Sequence, residues 1–489
     1  MKRVNYILMF VIAAFMLGGC DFSDFGDINK DPNNPSSPDT RFLYIGAVRQ
    51  AVPSFYINST WNAWTLIFPQ YVSEKTNVQF TKFETLTFGL SGYYTESIRS
   101  LEEIIALNTN EDTKGEPMVL SFGSNANQIA VARTLRAYIY MHLTDVLGMM
   151  PYFEANKALE GNFKPKYDTQ QAIYTDINKE LDEAYAQFDE SSPLNSSYEI
   201  LYGGNIAQWK KFNASVRMQL SIKLFKVDEN TGKSIFAKAY GQGFIRDNAD
   251  ILQYRYLNES ANQNPLYDNI IVGGRRDYWP SATIIDALKD YNDPRLGAFF
   301  TEARLGGYFG IPFGLLQSEA AALDANSLSY WQDKFYAQNS PGVLISPSVM
   351  LLAAAEAAER GWISASAKDL YEEAITAALA QHGVADGAAA YLAESKVAYN
   401  TAGTQSDRIA QIGMQKWFAS FLQDGFETWA DYRRLGVPEL TIGGVAMIDA
   451  IPRRRIYDTG DYDANKDNYN AAISAQGPDL ITTRIWWDK

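Results

Sequence analysis

The sequence predicts a mainly α protein, an irregular tetratricopeptide-like stack of helices with long loop excursions. Three observations predict it. Apolar residues recur at helical spacing through residues 128–153, 168–185 and 209–224. Two further helical patterns, Ser346–Trp362 and Ser364–Ala380, stand back to back across one short break at Gly361-Trp362. Between about 262 and 345 the periodicity gives way to Gly, Pro and aromatic residues, the mark of functional loops inside a compact domain.

In chain order, Lys2 and Arg3 precede the apolar run Val4–Leu17 and then Gly18-Gly19-Cys20. A positive start followed by a run too short to span a bilayer reads as an export signal over 1–19. The only cysteine falls directly after two small residues, so Cys20 is the expected lipidation site and the mature N-terminus. The alternative is an ordinary secretory peptide with an incidental cysteine. Residues 20–40, rich in Asp, Asn, Ser and Pro, read as a hydrated tether to a single body over 41–489. Asp27-x-Asn29-x-Asp31 and Asp461-x-Asp463-x-Asn465 begin like calcium loops, but both lack the glycine at the turn and the closing glutamate.

Val131, Leu135, Tyr138, His142 and Val146 mark one face of a helix that Gly148 ends and Pro151 forbids from continuing. Asp168-Thr169 then offers an N-cap for a helix carrying Ile173, Ile177 and Leu181. Trp209, Phe212, Val216 and Leu220 mark the next. In the later pair, the alanines 353, 354, 355, 357 and 358 permit close backbone approach. The segment 441–489 reads as irregular, with Trp486-Trp487 packing the closing segment.

Composition narrows the function. Apolar content of 46% with 20% charged residues suits a globular body, and a net charge of −14 repels phosphate backbones. Nucleic acid is therefore not an expected partner. Only His142 and His382 occur, neither beside a Gly-x-Ser-x-Gly elbow, and no zinc-helix or phosphate-loop motif is present. Histidine-based catalysis is not expected, nor is a cofactor or metal.

Several blocks, in this order, resemble the SusD/RagB family of nutrient-binding outer-membrane lipoproteins. They begin with Arg136-Ala-Tyr-x-Tyr140, Leu143-x-Asp145-x-x-Gly148 with Pro151, and Trp209 through Ser215 to Arg217. Asn292 through Leu296, Gly307-Tyr308-x-Gly310-x-Pro312-x-Gly314 and Ala355 through Trp362 follow. Gln415-Lys416-Trp417, Glu427-x-Trp429, Arg433-Arg434-x-Gly436-x-Pro438, Pro452-Arg453-Arg454 and Trp486-Trp487 complete the set. The resemblance implies a helical scaffold whose loop excursions form a ligand surface, in a non-enzymatic, lipid-anchored protein of the cell surface. It would cap a TonB-dependent, SusC-like outer-membrane transporter and deliver oligosaccharides to it. Asp21, Asp24 and Asp27 then look like the surface-export signal of Bacteroidota lipoproteins.

Sugars stack apolar C–H faces on flat rings while their hydroxyls seek forked polar groups. With 30 tyrosines and 10 tryptophans, the densest ring-and-charge cluster is Arg275, Arg276, Asp277, Tyr278 and Trp279. The expectation is that Tyr278 and Trp279 stack on a glycan while Arg275, Arg276 and Asp277 bind hydroxyls. Tyr308 and Trp331 lie in the same excursion, and Trp61 with Trp64 form a second set whose spacing equally suits a core. Arg453-Arg454-Arg455 reads as solvated or paired with local acids, with a transporter contact as the minority reading. Two rival functions remain: a carboxylate-pair glycosidase, which needs neither histidine nor metal, and a helical adaptor that binds only peptide or protein.

Overall fold

Helix-capping chemistry sets most of the boundaries in the computed structural model, which describes residues 38–57, 64–84 and 87–489. The signal segment, Cys20, the acidic tether with its Asp27-x-Asn29-x-Asp31 motif, and Trp61 lie outside the described residues. Residues Thr40–Lys489 form one contact unit.

The first helix, α1 (Thr40–Tyr56), buries Tyr44, Val48, Val52 and Phe55. Helices α2 (Arg99–Thr109) and α3 (Asn125–Leu147) follow. Ser124 caps α3 by accepting from the Asn127 N–H, and Gly148 ends it at φ 80°, a backbone angle that favours glycine. Nearly every side chain of α3 from Ala130 onward is buried, so it is the axis on which the others pack. The predicted Thr169 cap is present: its hydroxyl accepts from the Ala172 N–H at the start of α4 (Gln170–Gln187). Asn205 and Asp228 cap α5 (Ile206–Ile222) and α6 (Glu229–Gln242) in the same way.

Helix α7 (Ala282–Asp290) lies inside the excursion; α8 (Pro347–Glu359), α9 (Ala367–Gln381), α10 (Gln405–Ala419) and α11 (Gly425–Leu435) follow it. The closest packings pair α8 with α9, α3 with α4 and α5 with α6, the helix-on-helix stack expected from the sequence. Gly361, at φ 70°, makes the short break between α8 and α9.

Small ladders position the excursion. Strand β1 (Val72–Glu74) pairs antiparallel with β3 (Tyr278–Pro280), and β2 (Leu252–Tyr254) pairs antiparallel with β4 (Gly342–Ile345). The second ladder brings the two ends of the excursion together at its neck. The first ties its early part, Tyr278–Pro280, to the segment that follows α1.

Two expectations need correction. The excursion is not all loop: Ser281 caps α7, whose Ile284, Ile285 and Leu288 are buried on one face. A nine-residue helix shows too few turns for its period to stand out among glycines and prolines. The tail is not all irregular either. It contains α12 (Lys466–Gln476), a largely polar helix that buries only Ala472 fully.

Of the two readings of the arginine run, pairing with local acids is the one that holds for Arg453 and Arg454. Arg453 pairs with Asp488, its Nε 2.7 Å from Oδ2, and Arg454 pairs with Asp479 at 3.0 Å. Arg455 is buried with its guanidinium 4.9 Å over Trp64, donates to the Thr87 carbonyl, and burial pushes its pKa down to about 9. Among the described residues no helix is long and apolar enough to cross a membrane. None of the described His, Cys, Asp or Glu residues cluster as a metal site would need, the Asp461 motif included.

Candidate ligand surface of the excursion

Backbone pairing places the predicted cluster. In the β1–β3 register Ser73 faces Trp279 and Glu74 faces Tyr278, and the Lys75 N–H continues the ladder to the Asp277 carbonyl at 2.8 Å. Opposed residues point to the same side of an antiparallel pair, so β1 sets which way each ring turns. Tyr278 is half-buried, while Trp279 is only 4% exposed. Its indole N–H donates to the Arg276 carbonyl at 2.9 Å, and its ring meets Tyr330 edge to face, centroids 4.8 Å apart.

Trp279 is therefore a wedge under the surface and not the stacking platform expected of it. Trp331, 1% exposed, is a second core ring held by the bridge between Phe300 and Trp331. Charged neighbours had argued for exposure of Trp279. A tyrosine some fifty residues later covers it instead.

What the surface does present is a tier built on Tyr330. The exposed Arg276 lays its guanidinium 4.9 Å from the Tyr330 ring centroid, and the half-buried Tyr336 packs against the same ring at 5.9 Å. The Tyr330 hydroxyl has no hydrogen-bond partner among the described residues. Burial raises the pKa of both tyrosines, to about 12 for Tyr336, so both rings stay neutral donors at any physiological pH. Asp277 is held from two sides, accepting from the Thr76 hydroxyl on Oδ1 and pairing with Arg275 at 2.7 Å through Oδ2. Thr76 and Asn77 are exposed beside it.

The floor is fixed by Glu74, which is buried and accepts from the Thr81 N–H at 2.9 Å and the Phe80 N–H at 3.0 Å. Burial outweighs those donors and raises its pKa to about 8. Lys75 reaches across to the Ala320 carbonyl at 3.2 Å, which ties the 317–323 segment to the same edge.

Tyr308 lies near the tier in the backbone, because the Ser329 N–H donates to the Phe309 carbonyl at 2.8 Å, but its hydroxyl reaches elsewhere. Its hydroxyl lies against α-carbon space at Gly297, 3.3 Å from where a Cβ would stand, and its carbonyl accepts from Lys289. Trp64, of the second predicted set, is fully buried among Phe68, Phe88, Phe426 and Trp429. The structure thus groups Arg275, Arg276, Asp277 and Tyr278, buries Trp279 and Trp331, and directs the Tyr308 hydroxyl toward Gly297. It adds Thr76, Tyr330 and Tyr336. The aromatic run Tyr330-Trp331 with Tyr336 was visible in the sequence; which of those rings reaches the surface was not.

Compared with known proteins, residues 32–458 match the SusD-like family described as starch-binding associating with outer membrane. Similar solved structures include an outer-membrane protein of Bacteroides vulgatus, at 25% identity and a TM-score of 0.78, covering 92% of this chain and 100% of that one. A chitin-binding protein is similar at 25% identity and a TM-score of 0.77, over 92% of this chain and 100% of that one. A SusD homologue of Bacteroides uniformis shares the fold at 22% identity and a TM-score of 0.78, over 93% and 100% of the two chains. No curated protein matches the chain.

Proposed function

We propose, from the premise that the chain belongs to the SusD-like family of proteins associating with the outer membrane, that it binds a glycan at the Tyr330 tier. The observation that carries this is the exposed Arg276 guanidinium resting on Tyr330 with Tyr336 beside it. A guanidinium on an aromatic ring keeps its outward N–H groups free to fork onto sugar hydroxyls, while Tyr336 offers an apolar face next to them. Thr76, Asp277 and Tyr278 supply the polar rim. The family description and the chitin-binding structural relative both support a polysaccharide-derived ligand.

In this reading the protein is non-catalytic. A glycosidase needs two carboxyl groups facing each other across the bond they cleave. Of the three acids here, Asp277 is engaged on both oxygens, Glu74 is turned toward the 80–81 backbone, and Asp333 accepts from the Tyr336 hydroxyl. Lipidation at Cys20, display at the cell surface and delivery to a TonB-dependent, SusC-like transporter complete the proposal. They rest on the signal sequence and the family.

Retardation of the mature body in native gels carrying soluble starch or glycol chitin tests it. One polysaccharide slows the protein, and no reducing ends appear on incubation. Free migration through every gel, or release of reducing ends, overturns it.

A further inference from the structure

A groove of about 1030 Å³ opens between α7, the loop of residues 395–402 and the face of α10. Its volume is that of a site for a ligand of several rings, since small-molecule sites span roughly 300–1000 Å³. We propose that this groove is a second oligosaccharide site, selective for neutral or amino sugars and closed to uronates; the proposal rests on the glycan reading above.

Two half-buried tyrosines from different elements line it. Tyr291, just past the end of α7, is braced edge to face by Phe418 at 5.2 Å. Tyr399 is braced by Tyr371 at 5.4 Å, and its hydroxyl donates to Glu359. Each ring is thus held from behind with part of its surface left toward the groove.

The loop between them is preorganised. The Gln411 amide donates to the Val397 and Ala398 carbonyls at 3.2 and 2.9 Å and accepts from the Asn400 N–H at 3.0 Å. A site already held in shape loses little ordering entropy on binding.

Charge sets the selectivity. Lys396 pairs with Asp290 at 2.5 Å, so the other charged residues of the lining, Asp407 and Glu439, are both acidic, and the Arg408 beside Asp407 is itself paired with Glu359. That balance repels carboxylated or sulfated sugars. Apolar groups of Ala410, Met414, Val437 and Pro438 share the lining with amides, hydroxyls and carboxylates, the mixture that a sugar's C–H faces and hydroxyls call for.

The test is calorimetric titration with maltoheptaose, chitohexaose and trigalacturonate. It compares the wild-type body, an Arg276→Ala/Tyr336→Ala variant, and that variant with Tyr291→Ala or Ala402→Trp added. Ala402 is an exposed lining residue, so its substitution fills the groove without touching the core should loss of Tyr291 unfold the chain. The expected result is residual binding of a neutral probe in the Arg276/Tyr336 variant, none of trigalacturonate, and at least tenfold weakening by either addition. Wild-type binding abolished outright by the Arg276/Tyr336 pair, or residual binding indifferent to both additions, overturns the second site alone. No binding of either neutral probe to the wild type overturns the glycan reading and this one together.

Discussion

Lys223 and Asp145 meet at 2.7 Å with side chains 0% and 5% exposed. The same ammonium stands 2.7 Å from Glu427, while Tyr174 and the Trp487 indole N–H donate to the other Asp145 oxygen. One buried knot thus ties α3, the turn after α5, α4, α11 and the C-terminus. Burial alone would lower the Lys223 pKa, but the two carboxylates outweigh it and hold the pKa above its ordinary value. The lysine remains charged.

Lys223→Met is therefore expected to strand two buried carboxylates and cost about 3–5 kcal/mol of stability, the usual penalty for removing one member of a buried ion pair. Denaturant unfolding measures it. A loss below about 1 kcal/mol would show that the knot is not a structural tie.

Trp279→Ala is expected to act on the fold before it acts on any ligand. Removing a buried tryptophan costs about 3–5 kcal/mol, whereas Trp279→Phe keeps most of the packing against Tyr330. A thermal melt separates the two. An unchanged midpoint for Trp279→Ala contradicts the wedge role.

Glu74 makes the base of the site sensitive to pH. Its folded pKa of about 8 lies above its ordinary 4.5, so between those values the folded chain binds more protons than the unfolded one. Its contribution therefore falls as pH rises through that window, by up to about 1.4 kcal/mol per pH unit for one proton. Glu74→Gln, neutral throughout, should gain on the wild type in unfolding free energy from about pH 6 to about pH 8. A constant difference between the two proteins would refute the shift.

Gly310 holds the excursion against α7 by close approach. A Cβ there would stand 2.4 Å from the Ala282 nitrogen, where the backbone of 310–311 pairs with Ser281–Ala282. Gly310→Ala must move backbone, not a flexible side chain, and is expected to cost about 2 kcal/mol or more and to speed amide exchange in 278–283. Wild-type exchange rates in that segment would show the contact to be loose.

The helical stack was legible in the sequence because its signals are local: the period of α3, the Thr169 cap, the Gly361 break. The blocks that identified the family were legible too, but as a signature without a mechanism. The structure supplies one. Asp145 and Glu427 share Lys223; Glu356 pairs with Arg434; Asp293 pairs with Arg295, both fully buried. The first two are ionic ties between helices, while Arg295, held locally by Asp293, reaches Gln415 on α10; no ligand is needed to explain them. The ligand surface was legible only by segment. Trp279 sits among charges and still goes inside, because Tyr330 closes over it from a distant part of the chain, and no local pattern reports such a contact. Tyr336 went unmarked for the same reason.

The most direct measurement is the affinity of the body for maltoheptaose and chitohexaose before and after Arg276→Ala/Tyr336→Ala. Both side chains reach the surface, so the folded state should survive the change. The account predicts that one of the two sugars binds the wild type and that the double variant weakens it at least tenfold, with an unchanged melting midpoint. Equal affinity in the two proteins would contradict it and move the glycan site away from Tyr330.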